Sequence, residues 1–447
     1  MNLSIRRLKQ AATGGAASVA ASAIANNVLR IFSNITLTRL LDPEAFGIVS
    51  IIVSVSTMLV LISDVGLFDF IVQHKEGDEK RFQDQIWTIR LARGAMLAAA
   101  MALLSHPIAL ALGKPVLGPV IAVWSLSFVL DGLSSLSFAV AVRNQQFWRL
   151  SMMELAANVA TLLMSVTAAF LTHSYWSMIA GMTTGALTKT ILSYVMFPQS
   201  RRRWHFDFTR SRELWGFSRY IAMSSILTLI VMQSDKLVLA RVMPLAAYGF
   251  YGIASQLAAA PAGLAGPYSS RVLLSAYAQA ARAGREKLRE IYYVRRRKVA
   301  LLYMFSVGGM IGGAPLLVAI LYQPRYNAVT PYLQLLLIAT ALRMPNFSAK
   351  WALIALGRTR ATFFCNLCSG LWLLIGGGIS LWLGNIMLLV AVVGTAEVPS
   401  LFCYWWNLQR EGLLDFRSEA FELGSVGAGA GVGWAAATAT LHLFPHI

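Results

Sequence analysis

The sequence predicts an all-α polytopic membrane protein, and three observations carry that prediction. Hydrophobic residues make up 57% of the 447-residue chain and charged residues only 13%, too few to clothe a water-facing surface. Mean hydropathy is +0.61. Apolar stretches of the roughly 20 residues that a helix needs to cross a bilayer recur along the whole chain. The bases behind a net charge of +18 lie between these stretches rather than on a soluble face, which is topological charge and argues against a nucleic-acid binder.

The elements follow in order. A first span at about 13–39 comes after Arg6, Arg7 and Lys9; it lacks a convincing A-x-A exit and its apolar pattern runs past Thr38, far beyond a short signal-peptide core, so it reads as a retained helix. The chain then turns at Arg39 to Gly47, where Asp42 suits an N-cap, Pro43 a first helical turn and Glu44 the positive end of the helix dipole. Spans follow at about 46–72, 85–106, 116–142, 150–172 and 175–197. The second half repeats the plan at about 214–241, 247–275, 298–321, 328–352, 360–383 and 385–408. The total is about 12 transmembrane helices, with 423–444 a candidate thirteenth. Gly427, Gly429, Gly431 and Gly433 in that last stretch follow no strand and have no nearby lysine, so they read as helix packing rather than a nucleotide loop. The expected domains are a six-helix half at 1–200, a second at 201–410 and a C-terminal segment at 411–447. Two basic connections stand out as loops, Gln199 to Glu213 and Tyr277 to Lys298.

Orientation follows from lysine and arginine, which cytoplasmic loops retain. With the N-terminus inside, the outer connections hold only four, Arg39, Lys114, Arg241 and Arg325, against 25 in the inner connections. One missed span would swap every later side, so this asymmetry also supports the helix count. A shift of 202 residues lays Arg39 to Gly47 over Arg241 to Gly249 and pairs Gly14 with Gly216, Ala20 with Ala222, Ser22 with Ser224, Ile24 with Ile226 and Leu37 with Leu239. The two halves therefore have parallel topology, related by an axis along the membrane normal, as in transporters that rock one half against the other.

No cofactor, metal or nucleophile site is expected. Cys365, Cys368 and Cys403 all lie in apolar stretches, the six histidines fall in loops or at helix ends with no paired spacing, and no P-loop or G-x-S-x-G occurs. Trp148, Trp176, Trp204, Tyr322, Trp405 and Trp406 suit an interfacial belt. Chemistry must come from ionisable residues within spans, which are costly there and face a cavity or a partner. Arg30, Asp131, Lys189, Arg343 and Glu397 fall near mid-span, and Asp235 and Lys236 in the outer third of theirs. Asp64 and Asp69 lie near an inner end, while Arg90, Arg93, Arg219, Arg271 and Lys350 lie within two turns of the cytoplasmic end and can snorkel. The expected cationic cavity is Arg30, Lys189, Lys236, Arg343 and Arg271. Asp64, Asp131, Asp235 and Glu397 are the ion-coupling candidates, each with a fixed counter-ion as its alternative role.

The segments LTRLLDPEAFGIVSI and ISDVGLFDFIVQ, and in the second half MQSDKLVLARVMPLAAYGFYGIASQL and PYSSRVLLSAYAQ, resemble the polysaccharide-export (Wzx-type) flippases of the multidrug/oligosaccharidyl-lipid/polysaccharide (MOP) superfamily. The resemblance covers residues 10–280 well and the remainder by helix count. It implies two MATE-like six-helix bundles in the bacterial inner membrane. It also implies a non-enzymatic flippase that moves an undecaprenyl-pyrophosphate-linked oligosaccharide by alternating access, for lipopolysaccharide or exopolysaccharide synthesis. Lipid-linked oligosaccharide, membrane lipids, a polysaccharide polymerase and a chain-length regulator would be its partners. Arginine grips phosphate oxygens with a rigid fork, so a pyrophosphate suits the cationic cavity. A multidrug or organic-cation antiporter of the same superfamily is the alternative, although it would want more carboxylates than cations. A polymerase or ligase would be expected to carry a large periplasmic loop.

Overall fold

The computed structural model describes residues 25–64, 66–74, 79–144, 146–197, 203–204, 233 and 235–443. Among these no strand occurs, and nearly everything is helix. The protein is an all-α polytopic membrane protein, as its composition requires. Among the described residues, five helices are long and apolar enough by themselves to cross a bilayer, and a sixth joins them if Arg285–Gly312 and Ala314–Leu321, bent by 71°, form one span. The chain divides into two compact units, Met1–Leu245 and Ala246–Ile447. Residues 13–24 of the expected first span, all of the 201–212 segment but 203–204, Arg219, most of span 214–241 and the repeat pairs from Gly14/Gly216 to Ile24/Ile226 lie outside the described residues.

In the first unit, α1 (25–40) leads to α2 (Pro43–Ile62) and α3 (Leu67–Gln73), followed by α4 (Lys80–Ala111), α5 (Leu117–Trp124), α6 (Leu126–Leu133) and α7 (Ser137–Arg143). Helices α8 (Phe147–Thr172) and α9 (Trp176–Val195) form a hairpin, and α10 (235–242) closes the unit. Two expected spans are therefore broken. The 46–72 span stops at Ser63–Gly66, where Gly66 takes the left-handed conformation (φ 65°) that L side chains resist. The 116–142 span stops at Ser134–Leu136, where Ser134 turns extended (ψ 143°) and its hydroxyl donates to the Asp131 carbonyl (2.7 Å).

The expected repeat is visible where both copies are described. Helix α1 ends at residue 40 and α2 begins at Pro43; 202 residues on, α10 ends at 242 and α11 begins at Leu245. Both turns bury the matched residues, Leu37 and Leu41 in one and Leu239 and Met243 in the other, and both close with the same i to i−4 backbone bond. Asp42 occupies the N-cap position of α2 without a side-chain cap bond; Pro43 at the first position sets the helical φ instead. Connections expected on one side also meet within the unit: Lys114 Nζ donates to the Ala240 carbonyl (2.6 Å), and the His173 ring lies 3.4 Å from the Leu40 carbonyl.

The second unit comprises α11 (Leu245–Tyr268), a π-helical turn (Ser269–Leu273), α12 (Leu274–Ala283), α13 (Arg285–Gly312) and α14 (Ala314–Leu321). A 3₁₀ turn (Pro324–Tyr326) precedes α15 (Val329–Ala355), α16 (Thr359–Trp382), α17 (Ile386–Gly394), α18 (Glu397–Arg410) and α19 (Phe416–Leu443). Here too, expected same-side connections meet, since Glu411 pairs with both Arg285 (3.1 Å) and Arg358 (2.7 Å).

The segment expected as a basic loop before Lys298 is helical throughout α13, and the reason is a buried partner set. Leu288, Tyr292, Arg296, Ala300, Met304 and Gly308 recur every four residues as buried positions, of which Leu288, Tyr292 and Ala300 join a core with α12 and α15 while Arg296 and Gly308 meet α19. Arg296 is fully buried, paired with Glu419 and with Glu422 (3.1 Å), and donates to the Tyr292 hydroxyl (2.7 Å). Higher in the same seam the two backbones come too close for side chains. A Cβ at Gly308 or Gly312 would overlap the Val426 or Ala430 carbonyl, and one at Gly429 or Gly433 would overlap Phe305 or Gly309. Gly427 and Gly431 face open space. The glycine run in the last helix is thus helix packing, as its sequence context implies.

Candidate functional site

Both breaks in the first unit open onto the same cavity, about 190 Å³, lined by charged residues of α4, α6 and α9 and by the α2–α3 turn. Irregular backbone within a membrane bundle is tolerated where it lines a cavity or is capped by side chains, and here both occur. The Asp64 carboxylate accepts from the Gly66 amide (2.9 Å) and shapes the turn. The Arg93 guanidinium donates to the Ser63 hydroxyl (3.0 Å) and the Val60 carbonyl (3.2 Å), covering the exposed end of α2. Arg90 pairs with Asp131 at 2.9 Å. That contact is helped by glycine: a Cβ at Gly94 would strike the Phe128 carbonyl and one at Gly132 would crowd the Leu91 backbone, so glycine at 94 lets α4 and α6 approach this closely. From the opposite wall, Lys189 extends its ammonium over the Phe138 ring at 5.8 Å. Ser193 ties α9 to the second break by accepting from the Ser135 amide (2.9 Å), and Tyr194 donates to the Leu133 carbonyl (2.6 Å). Three cations, Arg90, Arg93 and Lys189, thus face two carboxylates, Asp64 and Asp131, around a polar cavity.

Of the residues expected from sequence, Asp64, Asp131 and Lys189 converge here. Arg30 stands exposed on α1, one turn beyond Asn26, which accepts from Asn158 (3.0 Å). Asp235 and Lys236 lie half-buried in α10. Arg343 and Glu397 meet in the second unit at 3.7 Å, where Asn346 also donates to the Glu397 carboxylate (2.7 Å). Arg271 belongs to the π-helical turn, and its side chain is outside the described residues. Sequence reasoning set aside Arg90 and Arg93 as snorkelling residues. Their three-residue spacing, beside a glycine at 94, was the signal that they share a face with a close neighbour.

Broken helices around a charged cavity, in a polytopic helical bundle, define a membrane protein of transporter architecture. The chain belongs to the polysaccharide biosynthesis protein family, whose model matches residues 36–331. It is 25% identical to the Escherichia coli K12 lipopolysaccharide biosynthesis protein WzxC over 74% of this chain and 67% of that protein. It is 27% identical to the succinoglycan biosynthesis transport protein ExoT of Rhizobium meliloti over 50% and 45% of the two chains. Among solved structures, the lipid II flippase MurJ in an inward closed conformation superposes with a TM-score of 0.69 at 12% identity, covering 95% of this chain and 99% of that one. An inward-facing multidrug resistance MATE transporter of the MOP superfamily gives 0.65 at 13% identity over 87% and 94%. The expected kinship with the polysaccharide-export branch of that superfamily is borne out.

Proposed function

We propose that the protein is a flippase that carries a polyprenyl-pyrophosphate-linked oligosaccharide across the bacterial inner membrane by rocking its two halves, each of which is a six-helix plan. The observation that carries this reading is the convergence of Arg90, Arg93 and Lys189 on a cavity at two helix breaks, where forked and point cations suit a pyrophosphate. The names of WzxC and ExoT, a lipopolysaccharide biosynthesis protein and a succinoglycan transport protein, support the same substrate class. Asp64 and Asp131 are the carboxylates placed to couple an ion to the movement. A deletion strain should accumulate lipid-linked repeat units on the cytoplasmic side with none polymerised, and the intact gene should restore export. Unchanged export in that strain would overturn the reading. Orientation is tested by single cysteines: one at Lys287 should label only from the cytoplasm and one at Arg325 only from the periplasm.

A further inference from the structure

A second, more open cavity of about 600 Å³ lies at the end of the second unit, between the start of α16 and the end of α18, with Arg285 of α13 at its edge. Arg285, Arg358, Arg360 and Arg410 line it against a single carboxylate, Glu411, an excess of three positive charges. Glu411 is engaged by Arg285 and Arg358. Among the described residues neither Arg360 nor Arg410 has a carboxylate partner, and the Arg410 guanidinium lies 3.6 Å over the Trp406 ring.

The same order of residues occurs on both walls. On α16, exposed Phe364 follows Arg360 by one turn, and exposed Leu367 and Leu371 continue deeper. On α18, exposed Trp406 precedes Arg410 by one turn, and exposed Phe402 lies a turn deeper still. Four-residue spacing puts each cation and its aromatic on one helix face. A free inorganic anion would use the guanidinium groups alone. Paired stripes of aromatic and aliphatic side chains running inward from two unpaired guanidinium groups match an amphiphile with a phosphate at one end and acyl chains below it. We propose that this pocket is a site for an anionic glycerophospholipid of the surrounding leaflet, its phosphate between Arg360 and Arg410 and its acyl chains along Phe364 and Trp406. The site belongs to the second unit and is independent of the cavity assigned to transport.

The test is titration of the purified full-length chain with phosphatidylglycerol in detergent, read by native mass spectrometry. The double variant R360A/R410A should bind about thirtyfold more weakly; at about 1.4 kcal/mol per tenfold this is about 2 kcal/mol, or two basic side chains at a lipid surface. R289A, which removes an exposed arginine on α13 outside the pocket, should bind as the parent does. R360K/R410K keeps the charge but loses the fork and should weaken binding only a few fold, which keeps the proposal testable if the alanine pair yields too little folded protein. Equal affinity for phosphatidylcholine, unchanged binding by R360A/R410A, an equal loss in R289A, or displacement of the lipid by an equal concentration of inorganic phosphate would each overturn the assignment.

Discussion

Replacing Arg90 and Asp131 separately distinguishes a substrate-gripping cation from one half of a structural clamp. The pair is 2.9 Å apart, yet the side chains are 22% and 64% exposed, so water screens it and its breakage costs about 0.2–1 kcal/mol of stability. A charge-assisted hydrogen bond from Arg90 to a pyrophosphate oxygen is worth about 1.5–3 kcal/mol, a factor of roughly 10 to 100 in transport. Arg90→Ala should therefore lower transport by that factor with little loss of stability. Asp131→Asn, nearly isosteric, releases the guanidinium and raises the cavity's excess of cations over carboxylates from one to two, so substrate binding should hold or improve. The assay is downhill exchange of a fluorescent polyprenyl-pyrophosphate oligosaccharide in reconstituted vesicles, which does not depend on ion coupling, alongside thermal unfolding of each variant. Equal losses of exchange in both variants, accompanied by a shared fall in melting temperature, would refute the reasoning.

In the same vesicles, Asp64→Asn or Asp131→Asn at a coupling site should abolish gradient-driven accumulation while sparing downhill exchange; driven transport intact in both would remove them as coupling groups. In the α13–α19 seam, Gly312→Leu or Gly433→Leu should destabilise the purified protein by about 1–3 kcal/mol through overpacking, whereas Gly431→Leu, which meets open space, should leave its melting temperature unchanged. Arg296→Ala should cost about 3–5 kcal/mol by leaving two buried carboxylates uncompensated, while Arg296→Met combined with Glu419→Leu and Glu422→Leu should recover folded yield. The Ser418 hydroxyl, with the Arg417 and Ser418 amides, holds the Asp415 carboxyl below its usual range. Its stabilisation of the first turn of α19 is thus present above the unfolded carboxylate value and fades as pH falls through the lower folded value, which hydrogen exchange at that turn should report as acid fraying.

Hydropathy made most of the helices legible, since an apolar stretch in a bilayer has no other way to satisfy its backbone. It could not show the breaks. The 46–72 stretch is nearly continuous in apolar character, and a short turn at Ser63–Gly66, with Gly66 at a left-handed φ, separates α2 from α3. The cavity was half legible for a related reason. Depth along a helix identified Asp131 and Lys189, but Arg90 and Arg93 were misjudged because depth says nothing about which face a residue occupies. Arg296 was lost the same way: in Arg295-Arg296-Arg297-Lys298 each residue turns about 100° from the last, so a run of positive charge must send one member inward. The four-residue apolar stripe from Leu288 to Met304 identifies which one.

The buried guanidinium of α13 also bears on how the protein is made. Its carboxylate partners lie more than a hundred residues downstream, so α13 leaves the ribosome long before Glu419 and Glu422 exist. Until they arrive, Arg296 must stay hydrated or find lipid phosphate, and the seat of α13 stays provisional. Helix α19, which looks from sequence like an appendage to a twelve-span plan, therefore supplies the charges that let α13 settle. A chain that stops before α19 leaves Arg296 without its carboxylates, and the cost of burying an unpaired cation then keeps α13 from its seat.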